Sequence, residues 1–124
     1  MYRIVSKEML TPTICRMKVE ASRLASAALP GQFLIIRADE QGERIPLTIS
    51  DFDKEAGTVT IVTQKIGAST AEICSYEEGD SFADVVGPLG IPSDFTEMSD
   101  EELVGKRYVF IAGGVYRYQT LSVL

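Results

Sequence analysis

The stretch "RIPLTISDFDKEAGTVTIVTQK", residues 44–65, holds two β-type runs separated by a short polar link. The first run alternates, with Ile45, Leu47 and Ile49 on one face and Pro46, Thr48 and Ser50 on the other. The second run, residues 57–65, is rich in β-branched side chains, which favour strands. The acidic link "DKEAG" ends in glycine, as tight hairpin connections often do. We therefore predict an antiparallel hairpin.

Strand patterns continue on both sides of this hairpin. We predict further strands at residues 13–20 ("TICRMKVE"), 30–39 ("PGQFLIIRAD"), 81–87 ("SFADVVG") and 108–114 ("YVFIAGG"). One short helix is predicted over residues 69–80, with Ser69 or Thr70 as its N-cap and Gly79 at its end. Residues 87–95 are predicted as a loop. About six strands joined by short links indicate an all-β fold, a six-stranded antiparallel barrel with one short helix.

The composition excludes several classes of function. The 124 residues carry a formal net charge of −6, so the chain lacks the basic field that binds nucleic acid or anionic membranes. It contains no histidine, and Cys15 and Cys74 form no CxxC pair, so we expect no metal site and no catalytic residue of the histidine type. No apolar stretch is long enough to span a membrane, and we expect a cytoplasmic protein in which a cofactor carries any chemistry. Both cysteines are predicted to be buried small side chains.

Two segments have residues suited to an anionic ligand. Arg44 stands four residues before Thr48; a guanidinium binds phosphate well, and a hydroxyl can donate to a ring nitrogen. The alternative is an exposed arginine and an ordinary sheet threonine. "KIGAST", residues 65–70, joins a strand to the predicted helix, whose free N–H groups suit a diphosphate. The alternative here is a plain strand-to-helix turn. The residues alone leave both alternatives open.

Five segments in order resemble the ferredoxin–NADP reductase superfamily: "PGQF" (30–33), "RIPLT" (44–48), "GAST" (67–70), "GPLG" (87–90) and "FIAGG" (110–114). Within it, the chain is most similar to the FAD-binding subunits of NADH-dependent ferredoxin:NADP oxidoreductase and to dihydroorotate dehydrogenase electron-transfer subunits. The resemblance implies a Greek-key barrel that binds FAD, followed by a Rossmann-like lobe for NAD(P)H.

The resemblance also implies roles for individual residues. Arg44 would bind the FAD diphosphate, and Thr48 would hydrogen-bond the flavin ring, which Pro46 and Leu47 would flank. The remaining implied cofactor-binding residues are Val62, Thr63 and Gln64 along the ribityl and ring edge, and Gly67, Ala68, Ser69 and Thr70 around the diphosphate. Two departures stand out: the superfamily arginine lies three residues before the hydroxyl residue, and Leu47 takes the place of an aromatic residue.

The resemblance further implies a domain division into a FAD-binding barrel (1–98), a linker (99–106) and a truncated first strand of the NAD(P)-binding lobe (107–124). Because "YRYQTLSVL" departs from the family after Val115, we expect neither NAD(P)H nor [2Fe–2S] on this chain, which would be inactive alone. The implied function is electron transfer between NAD(P)H and an iron–sulfur or flavoprotein partner subunit. We also expect a homodimer through the C-terminal strand. The alternative is a flavin-free barrel that acts as an interaction module.

Overall fold

The computed structural model describes residues 2–91, which fold into an antiparallel barrel with two short helices. In chain order the elements are β1 (Tyr2–Thr11), β2 (Ile14–Glu20), α1 (Ser22–Ala27), β3 (Phe33–Arg37), β4 (Arg44–Asp53), β5 (Thr58–Gln64), α2 (Ala68–Ser75), β6 (Ser81–Phe82) and β7 (Asp84–Leu89). The predicted all-β barrel is therefore confirmed, with two more strands and one more helix in this part of the chain than expected: β1 and α1 were not predicted, and the strand predicted at 81–87 is divided into β6 and β7.

The strands form one sheet in the order β6-β1-β2-β5-β4-β3-β7, with every pair antiparallel. Strands β3, β4 and β5 are consecutive neighbours, and β2 lies beside β5, which is the Greek-key arrangement. Strands β6 and β7, at the two edges of the sheet, are separated along the chain by Ala83 alone. The two edges therefore lie next to each other, and the barrel is nearly closed.

The predicted hairpin is formed by β4 and β5. Gly57 has a φ of +72°, and its N–H donates to the Asp53 carbonyl at 2.9 Å. The Asp53 carboxylate accepts from the backbone N–H groups of Glu55 and Ala56, each at 3.0 Å. Asp53 thus supplies the hydrogen-bond acceptors and Gly57 the positive φ that the turn requires, as aspartate and glycine commonly do.

The core lies inside the barrel and is apolar. Alternate residues of β2 and β5 point inward, and the buried cluster includes Met17, Val19, Val59 and Ile61. Each helix adds two buried residues to it: Leu24 and Ala25 from α1, and Ile73 and Cys74 from α2. Burial of this apolar surface is the main source of the barrel's stability.

Two elements were not predicted. Strand β1 pairs with β2 and β6, but the sequence of residues 2–11 does not alternate, and most of the strand is half-buried or exposed. Helix α1 has six residues and no side-chain cap at its N-terminus, and it connects β2 to β3. Packing against the core, and not a local sequence signal, therefore stabilises this helix.

Two predicted boundaries were wrong. Helix α2 begins at Ala68 and ends at Ser75, because Tyr76 is extended and its ring stacks on Phe82, with centroids 5.2 Å apart. Gly79, with a φ of +91°, lies in the turn that follows the helix instead of ending it. The predicted loop at 87–95 was also placed too early, since β7 pairs with β3 up to Leu89.

The predicted linker (99–106), the predicted last strand (107–124) and the dimer expected through it lie outside the described residues. They stay predictions.

Candidate functional site

Strands β4, β3 and β7 build one outer face of the barrel. Directly opposed residues of antiparallel strands have side chains on the same face. The register gives three rows across this face: Arg44, Arg37 and Asp84; Pro46, Ile35 and Val86; Thr48, Phe33 and Leu89. We call these nine residues the outer ladder. Its first row is charged, and the other two are mainly apolar.

Arg44 stands at the start of β4 in the charged row. Its Nη1 lies 3.0 Å from Oδ2 of Asp84, across the intervening strand β3. The Arg44 side chain is 53% exposed, so this ion pair is accessible to a ligand in solution. Exposed ion pairs of this kind are weak, and an anion of higher charge can compete with Asp84 for the guanidinium.

The other predicted residues of β4 divide between the two faces of the strand. Pro46 and Thr48 belong to the outer ladder with Arg44. Leu47 packs against the core cluster from the opposite face and is half-buried. The structure therefore brings Arg44, Pro46 and Thr48 together on one surface and places Leu47 behind them.

The first turn of α2 contains the predicted glycine-rich segment. The Thr70 hydroxyl accepts hydrogen bonds from the N–H groups of Ile66 (2.9 Å) and Gly67 (3.0 Å), which fixes the entry into the helix. Gly67 is the N-cap residue, and no side chain caps the helix. The first N–H groups of an uncapped helix lack intrahelical partners and attract anions. A Cβ placed on Gly67 would meet no atom within 4 Å, so there is room for a ligand beside this turn.

A hydrogen bond joins this turn to the start of β4. The Ser69 hydroxyl donates to Oε2 of Glu43, the residue that precedes Arg44. The segments 44–48 and 67–70 are therefore neighbours in space, although they are far apart in sequence.

Of the three predicted residues of β5, Val62, Thr63 and Gln64, two are buried. Thr63 pairs with Cys15 and shares the inward face of Ile61 and Val59, and its hydroxyl is buried with no hydrogen-bond partner among residues 2–91. Val62 is also buried, whereas Gln64 is exposed. Ile49 of β4 pairs with Ile61 of β5, and the next residues on one side of this pair are Thr48 and Val62. Val62 therefore lies across from Thr48. Of the three, Thr63 is turned away from the outer ladder.

Carboxylates surround the site and were not predicted as part of it. Asp84 contacts Arg44, and Glu43 contacts Ser69. Further along α2, burial and the neighbouring Asp39 carboxylate raise the pKa of Glu72. An anion that binds here must compete with these carboxylates for Arg44 and Ser69. No local signal in the sequence points to Asp84, because its contact depends on the pairing of β3 with β7.

The segments "PGQF" and "GPLG" lie together and support this surface. Gln32 donates from Nε2 to the Gly90 carbonyl at 3.0 Å and accepts from the Leu29 N–H at 2.9 Å. A Cβ on Gly90 would lie 3.0 Å from the Phe33 ring, so only glycine fits against that ring. These residues hold β3 and β7 in register.

Residues 2–91 include no group of three or more cysteine, aspartate or glutamate side chains that could hold a metal ion. None of the helices in this range has the length and apolar character needed to cross a membrane.

The barrel is of the ferredoxin reductase class. No protein-family model matches the sequence. The chain is 56% identical over 115 residues to an uncharacterised protein of Clostridium beijerinckii encoded in an adh 3′ region, covering 93% of this chain and 39% of that protein. It is 39% identical over 102 residues to a dihydroorotate dehydrogenase B electron transfer subunit homologue of Thermotoga maritima, covering 82% of this chain and 36% of the relative.

Among solved structures, an NADH-dependent reduced ferredoxin-NADP oxidoreductase studied for flavin-based electron bifurcation matches with a TM-score of 0.74 and 39% identity. The match covers 76% of this chain and 34% of that one. These findings confirm the resemblance to the ferredoxin–NADP reductase superfamily, and to its dihydroorotate dehydrogenase B electron transfer subunits. The chain spans little more than a third of the length of these relatives.

Proposed function

We propose that this chain is the FAD-binding part of a flavin-dependent NAD(P)H oxidoreductase, in which it transfers electrons between NAD(P)H and an iron–sulfur partner. The names of its relatives, an electron transfer subunit and a ferredoxin-NADP oxidoreductase studied for flavin-based bifurcation, support this role. Bound FAD would exchange a hydride with NAD(P)H and single electrons with the partner.

The residues of the site fit an FAD diphosphate. Arg44 offers a bidentate guanidinium, and the uncapped first turn of α2 offers backbone N–H groups. The open space at Gly67 allows a phosphate to approach the backbone. Thr48, on the same face as Arg44, would donate its hydroxyl to the flavin ring, and Pro46 would contact the ring from the same strand.

One observation carries the proposal most directly. The Ser69–Glu43 hydrogen bond holds the first turn of α2 beside Arg44, so a single diphosphate can contact both. Had the two segments been on opposite sides of the barrel, no FAD molecule could have used them as proposed.

The first test is the binding of FAD to the purified 124-residue chain. We expect flavin absorption in the visible spectrum or saturable binding of added FAD, with weaker binding of riboflavin, which lacks the diphosphate. Absence of flavin together with no binding of added FAD would contradict the proposal.

The second test replaces Arg44. We expect Arg44→Ala to lower FAD affinity by about tenfold to a hundredfold, the equivalent of one charge-assisted hydrogen-bond contact. Arg3→Ala is the matched control, because Arg3 is also an exposed arginine in an ion pair, with Glu20 at 2.7 Å, and should leave affinity unchanged. Equal affinities of both variants and the parent chain would rule out a role for Arg44 while leaving FAD binding itself intact.

A flavin-free interaction module is the second candidate. The observation in its favour is that Arg44 and Ser69 already have carboxylate partners, Asp84 and Glu43. In that case these contacts would be structural, and the FAD titration would show no binding.

A further inference from the structure

Two thiols meet inside the barrel at a point that the proposed function does not use. Cys15 of β2 and Cys74 of α2 are 1% and 2% exposed, and both are free. Their sulfur atoms are 3.0 Å apart, with the Cys15 S–H directed at the Cys74 sulfur. The sequence predicts the burial of both residues but not their contact. A disulfide bond requires the sulfurs to approach by about a further 1 Å.

The surroundings shift the pKa values of the two thiols in opposite directions. The hydrogen bond from Cys15 lowers the pKa of Cys74 to about 7 in spite of burial, and the nearby charges of Lys65 and Lys7 contribute to this lowering. Lys7, whose side chain is nearly buried, donates from Nζ to the Cys74 carbonyl at 2.6 Å and to the carboxylate of Glu77 at 3.1 Å, which offsets part of its charge. The same thiol contact and burial raise the pKa of Cys15. These opposite directions favour Cys74 as the nucleophile of the pair.

A third polar group faces the pair. Thr63 lies directly opposite Cys15 in the β2–β5 register, and its buried hydroxyl has no partner in the described part of the chain. Directly opposed side chains of antiparallel strands are about 5 Å apart at Cβ. The hydroxyl is thus a free donor for an oxygen atom that enters beside the sulfurs.

We propose that Cys15 and Cys74 form a redox-modification site that hydrogen peroxide converts reversibly into a disulfide between β2 and α2. The Cys74 thiolate attacks one peroxide oxygen, the O–O bond breaks, and the released hydroxide takes a proton to form water. The Cys15 sulfur then displaces the oxygen from Cys74 as a second water molecule. In total, the two thiols lose two electrons and two protons, and the peroxide is reduced to two waters.

The burial of the site selects the oxidant. Cys15 and Cys74 are 1% and 2% exposed, so any oxidant reaches their sulfurs through local opening of the barrel; peroxide, only slightly larger than a water molecule, needs a much smaller opening than a glutathione-sized disulfide. An external dithiol restores both thiols by supplying two electrons and two protons, once local opening admits it. The bond would fix α2, whose first turn is the proposed diphosphate-binding site, to the barrel wall. The redox proposal does not depend on FAD binding.

The test uses the flavin-free 124-residue chain. The chain is treated with hydrogen peroxide and unfolded in an alkylating reagent, and its intact mass is measured before and after dithiothreitol. We expect a monomer that has lost two hydrogens and takes up no alkyl group, with both thiols recovered on reduction. Two free thiols after treatment, or a disulfide between two chains, would overturn the proposal.

Variants and pH then test the assigned roles. Cys15→Ser, which keeps a hydrogen-bond donor beside Cys74, should leave Cys74 to form a sulfenic acid that dimedone traps, whereas Cys74→Ser should leave Cys15 unreactive; the reverse pattern would overturn the assignment of the nucleophile. The oxidation rate of the parent chain should rise with pH and level off at a lower pH than for an ordinary thiol, because the thiolate attacks and the pKa of Cys74 is lowered. Lys7→Gln should slow oxidation by about threefold or more, as expected when a nearby cation is lost, and Lys18→Gln, at an exposed position of β2, should not. Equal rates for the two lysine variants would show that Lys7 has no part in activating Cys74.

Discussion

Helices α1 and α2 are both short and each contributes two residues to the core, but they present their first turns differently. At the start of α1, Ala21 is buried, and its N–H donates to the Gly57 carbonyl at 2.9 Å. The first turn of α2 is open, with Gly67 facing free space and Ser69 bound to a residue of β4. Helix α1 thus joins the barrel through its first backbone N–H, whereas the start of α2 is exposed, as the proposed diphosphate contact requires.

The largest effect on the free energy of unfolding should come from a change in α1. Leu24 of α1 is 4% exposed and packs against Gly87 of β7. Leu24→Ala should lower the free energy of unfolding by about 2–5 kcal/mol, because it leaves a cavity in the core. Urea unfolding measures this. Leu29→Ala, at a position that is 40% exposed, should change it by less than about 0.5 kcal/mol, and similar losses in both variants would show that α1 does not support the core.

The two glycines beside these helices give a second comparison. Gly57 has a φ of +72°, and a Cβ on it would lie 2.7 Å from the Ser22 hydroxyl of α1. Gly57→Ala should lower the free energy of unfolding by about 1–3 kcal/mol through strain and contact. Thermal unfolding with and without the change tests this expectation; an unchanged Tm would refute it.

Gly67 should behave in the opposite way. Its backbone is extended, and a Cβ on it meets no protein atom within 4 Å, so Gly67→Ala should lower the free energy of unfolding by no more than about 1 kcal/mol. The added methyl group would occupy the space proposed for the diphosphate and should weaken FAD binding several-fold. FAD titration measures this. If Gly67→Ala bound FAD as well as the parent chain, the open turn would not be the diphosphate-binding site.

The smallest effect concerns the carboxylate that contacts Arg44. Asp84→Asn should raise FAD affinity about two- to fivefold, because it removes a competitor for the guanidinium and a charge that repels the diphosphate. The gain should shrink at high salt. Glu20→Gln, which removes the partner of Arg3, is the control and should leave affinity unchanged. Weaker binding by Asp84→Asn would mean that Asp84 positions Arg44 instead of competing for it.

Sequence patterns predicted the parts of the fold that depend on neighbours along the chain. Strand β2 alternates, and the β4–β5 turn carries its own aspartate and glycine, so both are recognisable locally. Helix α1 has neither a cap nor sufficient length, and only its packing against strands distant in sequence stabilises it. For the same reason the early end of α2 was missed, since it depends on the contact of Tyr76 with Phe82.

Sequence patterns likewise predicted only the part of the candidate site that depends on neighbours along the chain. Arg44 and Thr48 are identifiable by residue type and spacing, and alternation places them on one face. The contacts that assemble the site join residues far apart in sequence: Arg44 with Asp84, and Ser69 with Glu43. Such contacts follow from the Greek-key pairing, which residue patterns do not specify. The cofactor-binding roles of these residues stay predictions until FAD binding is measured.

The junction at Ala83 has a consequence for how the chain folds. Strand β6 pairs with Tyr2 and Arg3 at the start of β1, and β7 pairs with β3, so residues 81–89 complete both edges of the sheet. These pairings span large sequence separations, and contacts of this kind form late and slowly. On a ribosome, every other strand of residues 2–91 is synthesised before the segment that closes the barrel. Until that segment emerges, the edges of β1 and β3 remain open to pairing with other chains.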